Sequence, residues 1–194
     1  MRIGFVWPAT GHNRRTFPKK AQFLQRLNRL FPDVPYKGDY PTRCGCLECD
    51  DIASQLTAQT WTQITPDRLD KLLNGDYLMT DKAYAYFLPA CLKASLDKTA
   101  EARRIADCII RGYIPSGPPT HSVDALNPNQ LTLLCDWFDW VVAELESEWQ
   151  DHFNENDIYA PGTSPETMAE EIANLREYVE GWRFSIEQGV QNGS

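Results

Sequence analysis

Apolar residues recur at helical spacing through most of the chain. After Pro18, the residues Phe23, Leu24, Leu27, Leu30 and Phe31 line one face of a helix that Pro32 and Pro35 end. Cys49, Ile52, Ala53 and Leu56 fall at i, i+3, i+4 and i+7, which predicts a short second helix. Thr65-Pro66 then opens a third, with Leu69, Leu72 and Leu73 inward and Asn74-Gly75 as its stop. Thr80 caps a fourth through Tyr84, Phe87, Leu88, Cys91, Leu92 and Leu96, which Pro89 should kink by removing a hydrogen bond, and a fifth covers about residues 99–111. Asn127-Pro128 begins the most strongly patterned segment, where Leu131, Leu134, Cys135, Phe138, Val141, Val142, Leu145 and Trp149 share one face. Leu133, Trp137 and Trp140 widen that face, so this helix is expected at the centre of the fold. Ser164-Pro165 starts the last helix, with Met168, Ile172, Leu175, Val179 and Trp182 inward.

Only Arg2 to Trp7 reads as extended, before a polar loop from Thr10 to Arg15. The expected architecture is therefore all-α or nearly so, an orthogonal bundle of about six or seven helices with a short extended basic amino-terminal arm. One domain fits the length of 194 residues. Within it, residues 1–43 hold the arm, first helix and loop, 44–145 a central portion, and 146–194 an acidic extension.

Composition narrows the class. A chain that is 42% hydrophobic, with six tryptophans, buries enough surface to fold. No apolar run approaches the ~20 residues that span a bilayer, and Ile3–Trp7 is cut short by Pro8, so a cytoplasmic protein without membrane contact is expected. The cysteines Cys44, Cys46, Cys49, Cys91, Cys108 and Cys135 are even in number, but three lie inside apolar helical patterns and reduced thiols are the better reading.

Charge is unevenly spread behind the net −8. Residues 1–40 carry eight Lys and Arg against Asp33 and Asp39, whereas Asp136 to Glu187 holds fourteen acidic residues against Arg176 and Arg183. Such a field repels nucleic acid and attracts basic partners.

The ordered set Cys46-Leu47-Glu48-Cys49, Trp61, the block Leu78 to Ala90 (LMTDKAYAYFLPA) and Ala125 to Gln130 (ALNPNQ) resembles a family of uncharacterised bacterial proteins, the domain of unknown function 6714. The family pattern is C-x-E-C, a tryptophan, L-T-x-x-A-x-x-Y-x-L-P-A and L-x-x-x-Q, and the resemblance spans about residues 44–145. This chain departs from it at Phe87, where a second tyrosine is frequent, and in its acidic tail. The resemblance implies a compact helical bacterial domain and assigns no activity.

The sharpest chemical feature is Cys44-Gly45-Cys46-Leu47-Glu48-Cys49, three thiols in six residues, because a C-x-x-C knuckle can place two thiolates about a zinc ion. A fourth ligand would have to come from His12, His121, Cys91 or Cys108. The alternative is that these are core thiols, in keeping with the apolar placement of Cys49. A thioredoxin-like role for Cys46 and Cys49 wants an alternating βα pattern that this chain lacks. Thr10-Gly11-His12 with Arg14 and Arg15 offers too few glycines for a phosphate loop and reads as a solvated turn. Neither H-E-x-x-H nor G-x-S-x-G is present. Asp136 and Asp139, at i and i+3, read as a solvated polar stripe rather than an acid/base or metal pair, and most of Tyr84, Tyr86, Phe87, Trp137, Trp140 and Trp149 as core rather than the lining of a ligand groove.

With no catalytic constellation, the expected function is non-enzymatic protein binding. Its most concrete form is a bacterial immunity or inhibitor protein that covers a basic toxin or effector through Glu144, Glu146, Glu148, Asp151, Glu155, Asp157, Glu170 and Glu171. The alternative is a zinc-binding regulator or enzyme built on Cys44, Cys46 and Cys49.

Overall fold

The computed structural model describes residues 20–37, 41–56, 59–73, 78–97, 99–114, 121–154 and 165–191. The expected amino-terminal arm and the loop from Thr10 to Arg15 lie outside the described residues. Among those described, the architecture is all-α: α1 (Lys20–Leu30), α2 (Leu47–Leu56), α3 (Pro66–Leu73), α4 (Asp81–Ser95), α5 (Ala100–Tyr113), α6 (Pro128–Asn154) and α7 (Pro165–Gln191). Single 3-10 turns at Trp61–Gln63 and Val123–Ala125 join them, and one antiparallel bridge, Thr42 to Met79, is the only β pairing among the described residues.

The helix starts follow local chemistry. Proline occupies the first position of α3, α6 and α7, where its missing N–H costs nothing. Thr80 accepts from the Ala83 amide at 3.2 Å and Thr99 from the Ala102 amide at 3.1 Å, each satisfying one orphan donor of the first turn. At α6, Asn127 Oδ1 accepts from the amides of Asn129 and Gln130, and Gln130 Oε1 accepts from the Asn127 amide, a reciprocal capping box.

The core is built on α6, as expected, and equally on α4. Ten of its fifteen residues are buried, including Ala83, Ala85 and Ala90, so it is apolar nearly all round, as an interior helix must be. It packs against α3, α5 and both 3-10 turns, while α6 packs against α1 and α7 and meets the end of α4 through the buried hydrogen bond from Trp137 to Ser95. The apolar face of α6 is as broad as expected: Leu133, Leu134, Cys135, Trp137, Phe138, Val141 and Val142 are buried, with Leu131, Trp140 and Leu145 half-buried against them. On α7, Ile172, Leu175 and Val179 are buried and Trp182 half-buried, whereas the side chain of Met168 lies outside the described residues.

Two distant side chains close the end of α1. Trp61 Nε1 donates to the Phe31 carbonyl at 3.1 Å, and Gln130 Nε2 donates to the Leu30 carbonyl at 3.1 Å. The last carbonyls of a helix lack intrahelical partners, and here consecutive ones receive donors from two other segments. Replacing Gln130 by Ala removes both this bond and half of the α6 capping box. We expect a loss of about 1–3 kcal/mol in urea unfolding. A loss within error of zero would show that solvent serves the Leu30 carbonyl equally well.

Asp136 and Asp139 do not form the solvated stripe that their spacing suggests. Arg26 of α1 donates to Asp136 at 2.6 Å, and Arg183 of α7 binds Asp139 through both terminal nitrogens while standing 3.9 Å from Asp136. Both carboxylates are half-buried, so part of the charge asymmetry is consumed in clamping α1 and α7 to α6.

Candidate metal centre

The cysteine segment is fixed at both ends by backbone chemistry. On one side, the Arg43 amide donates to the Leu78 carbonyl at 2.7 Å and the Thr80 amide to the Pro41 carbonyl at 2.9 Å, so residues 41–43 pair with 78–80 just before α4 begins. Arg43 strengthens the join: its Nε donates to the Met79 carbonyl at 2.8 Å and a terminal nitrogen to Asp81 Oδ1 at 3.0 Å. On the other side, the Asp50 amide donates to the Cys46 carbonyl at 2.9 Å, closing the first turn of α2. Cys46 immediately precedes α2 and Cys49 lies in its first turn, where the helix dipole favours negative charge.

This framework brings all three predicted ligands together. The sulfurs of Cys44, Cys46 and Cys49 lie within 4.8 Å of one another. Cys44 Sγ is 2.7 Å from Cys49 Sγ and 3.3 Å from Cys46 Sγ. Cys44 and Cys46 are exposed and Cys49 is covered, so the group opens outward from a closed floor. Leu47, between them in sequence, is 89% exposed and leaves the mouth uncovered.

The thiols share protons unequally. Burial opposes ionisation of Cys49, but hydrogen bonds from the side chains of Cys44, Cys46 and Thr42 and from the Cys44 backbone outweigh it and bring its pKa down to about 7. Cys44, whose hydrogen bond to Cys49 favours its protonated form, is pushed up to about 11. The cluster therefore carries a thiolate near neutral pH with thiols beside it, the state from which a thiophilic cation displaces the remaining protons.

None of the sequence's candidates for a fourth ligand among the described residues belongs to the group. Cys91 is buried in α4, and Cys108 lies on α5 with its sulfur 3.6 Å from Arg111. His121 is buried, stacked on Tyr84 with centroids 3.8 Å apart, and its Nδ1 faces Asp81 Oδ1 at 3.3 Å. His12 lies outside the described residues. No disulfide forms among the six cysteines. Thr42 and Arg43, which hold the segment in place, carried no signal in the sequence, because their partners lie on the far side of α2 and α3.

Three of the eight acidic positions have described side chains. Glu146 is half-buried and accepts from Arg176 of α7 at 2.6 Å; Glu144 is half-buried and Glu170 exposed. The side chains of Glu148, Asp151 and Glu171, and residues Glu155 and Asp157 altogether, lie outside the described residues. No helix is long and apolar enough to cross a membrane among the described residues. No family model, curated protein or solved structure matches the chain.

Proposed function

We propose that this protein is a metal-binding protein in which Cys44, Cys46 and Cys49 hold one zinc ion as thiolates. The observation that carries the reading is the meeting of three sulfurs within 4.8 Å at the mouth of a helix, on a backbone pinned from both sides. Thiolate sulfur suits zinc, and a fully protein-ligated structural site uses four ligands. Three thiolates come from the described residues, and the fourth position of a tetrahedral site is left for water, an incoming ligand or a residue outside the described ones such as His12.

The test is direct. The full chain, purified under reducing conditions and stripped of metal, should take up one equivalent of zinc, and cobalt in its place should show the strong near-ultraviolet absorption of thiolate ligation. Uptake below a tenth of an equivalent, or cobalt spectra without thiolate bands, would end the reading. Because protons compete for the same sulfurs, zinc affinity should rise with pH through the range around 7 where Cys49 ionises. Chelation should leave the far-ultraviolet helical signal largely intact, since the core is apolar and continuous without the ion.

A second reading, a bacterial immunity or inhibitor protein that binds a basic toxin or effector, rests on the acidic bias and on the outer face of α7. There Tyr178 and Phe184 are exposed among Glu170, Glu177 and Glu187. Charge complementarity of this kind acts chiefly on association rate. Because Glu146 is engaged by Arg176, the reversal that isolates the effect is Glu170→Lys with Glu177→Lys. This pair should slow capture of a basic partner and leave the melting temperature unchanged; a salt-independent complex, or one untouched by the reversal, would remove this reading.

A further inference from the structure

The spacing C-x-x-C singles out Cys46 and Cys49, yet the closest sulfurs are those of Cys44 and Cys49, at 2.7 Å. A disulfide requires ~2.05 Å between sulfurs, so this pair stands within hydrogen-bond contact of its own product. Both partners are held from opposite directions, Cys44 by the pairing of residues 41–43 with 78–80 and Cys49 by the first turn of α2. Cys44 is exposed, so a small oxidant reaches it directly. The other thiols offer no equivalent: Cys91 and Cys135 are buried and Cys108 stands apart on α5.

We infer that Cys44 and Cys49 form a hydroperoxide-reactive dithiol, a modification site in which an external peroxide converts the two thiols into a disulfide. In the first step Cys49 releases its proton to solvent and takes that of Cys44 across their hydrogen bond, in which either sulfur can be the donor. The exposed Cys44 sulfur attacks the terminal peroxide oxygen, the O–O bond breaks, and the leaving oxygen departs as water or alcohol after taking from solvent the proton that Cys49 released. Cys44 is then a sulfenic acid. Cys49 attacks its sulfur, the S–O bond breaks, and the oxygen leaves as water with the Cys49 proton. Two thiols and one hydroperoxide give one disulfide and two oxygen-bearing leaving molecules; sulfur is oxidised and peroxide oxygen reduced. Only this dithiol's effect on metal depends on the zinc reading above: the disulfide removes two of three donors, so oxidation and metal binding exclude each other.

The experiment uses the full chain, reduced and metal-free, with one equivalent of hydrogen peroxide. Intact mass should fall by two hydrogen atoms, peptide mapping should join Cys44 to Cys49, and Cys46 should stay open to alkylation. Cys46→Ser should oxidise as readily as the parent, whereas Cys44→Ser and Cys49→Ser should lose the cross-link. A cross-link from Cys46 in the parent, an undiminished yield in Cys44→Ser, or oxygen addition without cross-linking would overturn the inference. Zinc at 100 times its dissociation constant leaves about one site in 100 free and should slow oxidation about 100-fold. If the Cys44–Cys49 cross-link forms and zinc never slows it, the dithiol stands and the metal reading falls. If zinc binds stoichiometrically and the stripped protein yields no cross-link, the dithiol falls and the metal reading stands.

Discussion

Phe138→Ala is expected to lower the free energy of unfolding by about 3–5 kcal/mol. Its ring is fully buried on α6, edge-on to Trp137 with centroids 5.0 Å apart and to Trp182 of α7 at 5.5 Å. Truncation removes the ring's own burial and leaves a cavity that its neighbours fill poorly. Trp137 is held in place by its indole N–H, which donates to Ser95 Oγ at 2.9 Å, and so cannot swing into the gap without breaking a buried bond. Trp182 is half-buried and reports the change, since its contact with α6 is lost. Urea unfolding followed by circular dichroism and tryptophan fluorescence measures both effects. Phe138→Leu should cost less, about 1–1.5 kcal/mol, because most of the volume is kept. A loss below about 1 kcal/mol for the alanine variant would mean that α7 closes over the site, contrary to the packing described.

Cys49→Ser should weaken zinc binding by more than about 100-fold, because loss of a partner outside the ligand shell already costs 10–100-fold in other zinc sites and this change removes a ligand. Cys49 is the ligand whose ionisation is most favoured, and it forms the floor of the cluster. Serine keeps the size and the hydrogen bonds but cannot supply a thiolate. Thr42→Val provides the internal comparison: it keeps all three sulfurs and removes the hydroxyl that donates to the Cys44 carbonyl at 3.2 Å and supports the Cys49 thiolate. Its expected effect is about 10–100-fold. Competition with a chromophoric chelator measures both variants, and equal affinities for Cys49→Ser and the parent would show that the bound zinc sits elsewhere.

The helix boundaries were legible because they are written in local chemistry: Pro66, Pro128 and Pro165 each stand at the first position of a helix, and Thr80 caps α4. The three sulfurs were also legible as a group, since they fall within six residues and Cys46 and Cys49 flank the start of α2. The burial of α4 on nearly every side was not. Ala83, Ala85 and Ala90 contribute little to an apolar pattern, yet all three are buried. The fate of the acidic residues was equally hidden: Asp136 meets Arg26 across 110 positions and Asp139 meets Arg183 across 44. A charged stripe looks the same in sequence whether water or an arginine from another helix faces it. For the same reason the pairing of Cys44 with Cys49 rather than Cys46 emerges only from the path of the backbone through Thr42 and Arg43.

The closure of α1 sets an order of events during synthesis. Its terminal carbonyl at Leu30 receives its donor from Gln130, 100 residues later in the chain. At roughly 5–20 residues per second, a ribosome takes about 5–20 s to supply that residue. Throughout that interval α1 can receive the Trp61 donor at the Phe31 carbonyl but lacks both the Gln130 donor and the Asp136 partner of Arg26, so its docking on α6 waits for α6 to be made. Nascent chains arrested before residue 128 should therefore leave α1 accessible to protease, and those extended past α6 should protect it.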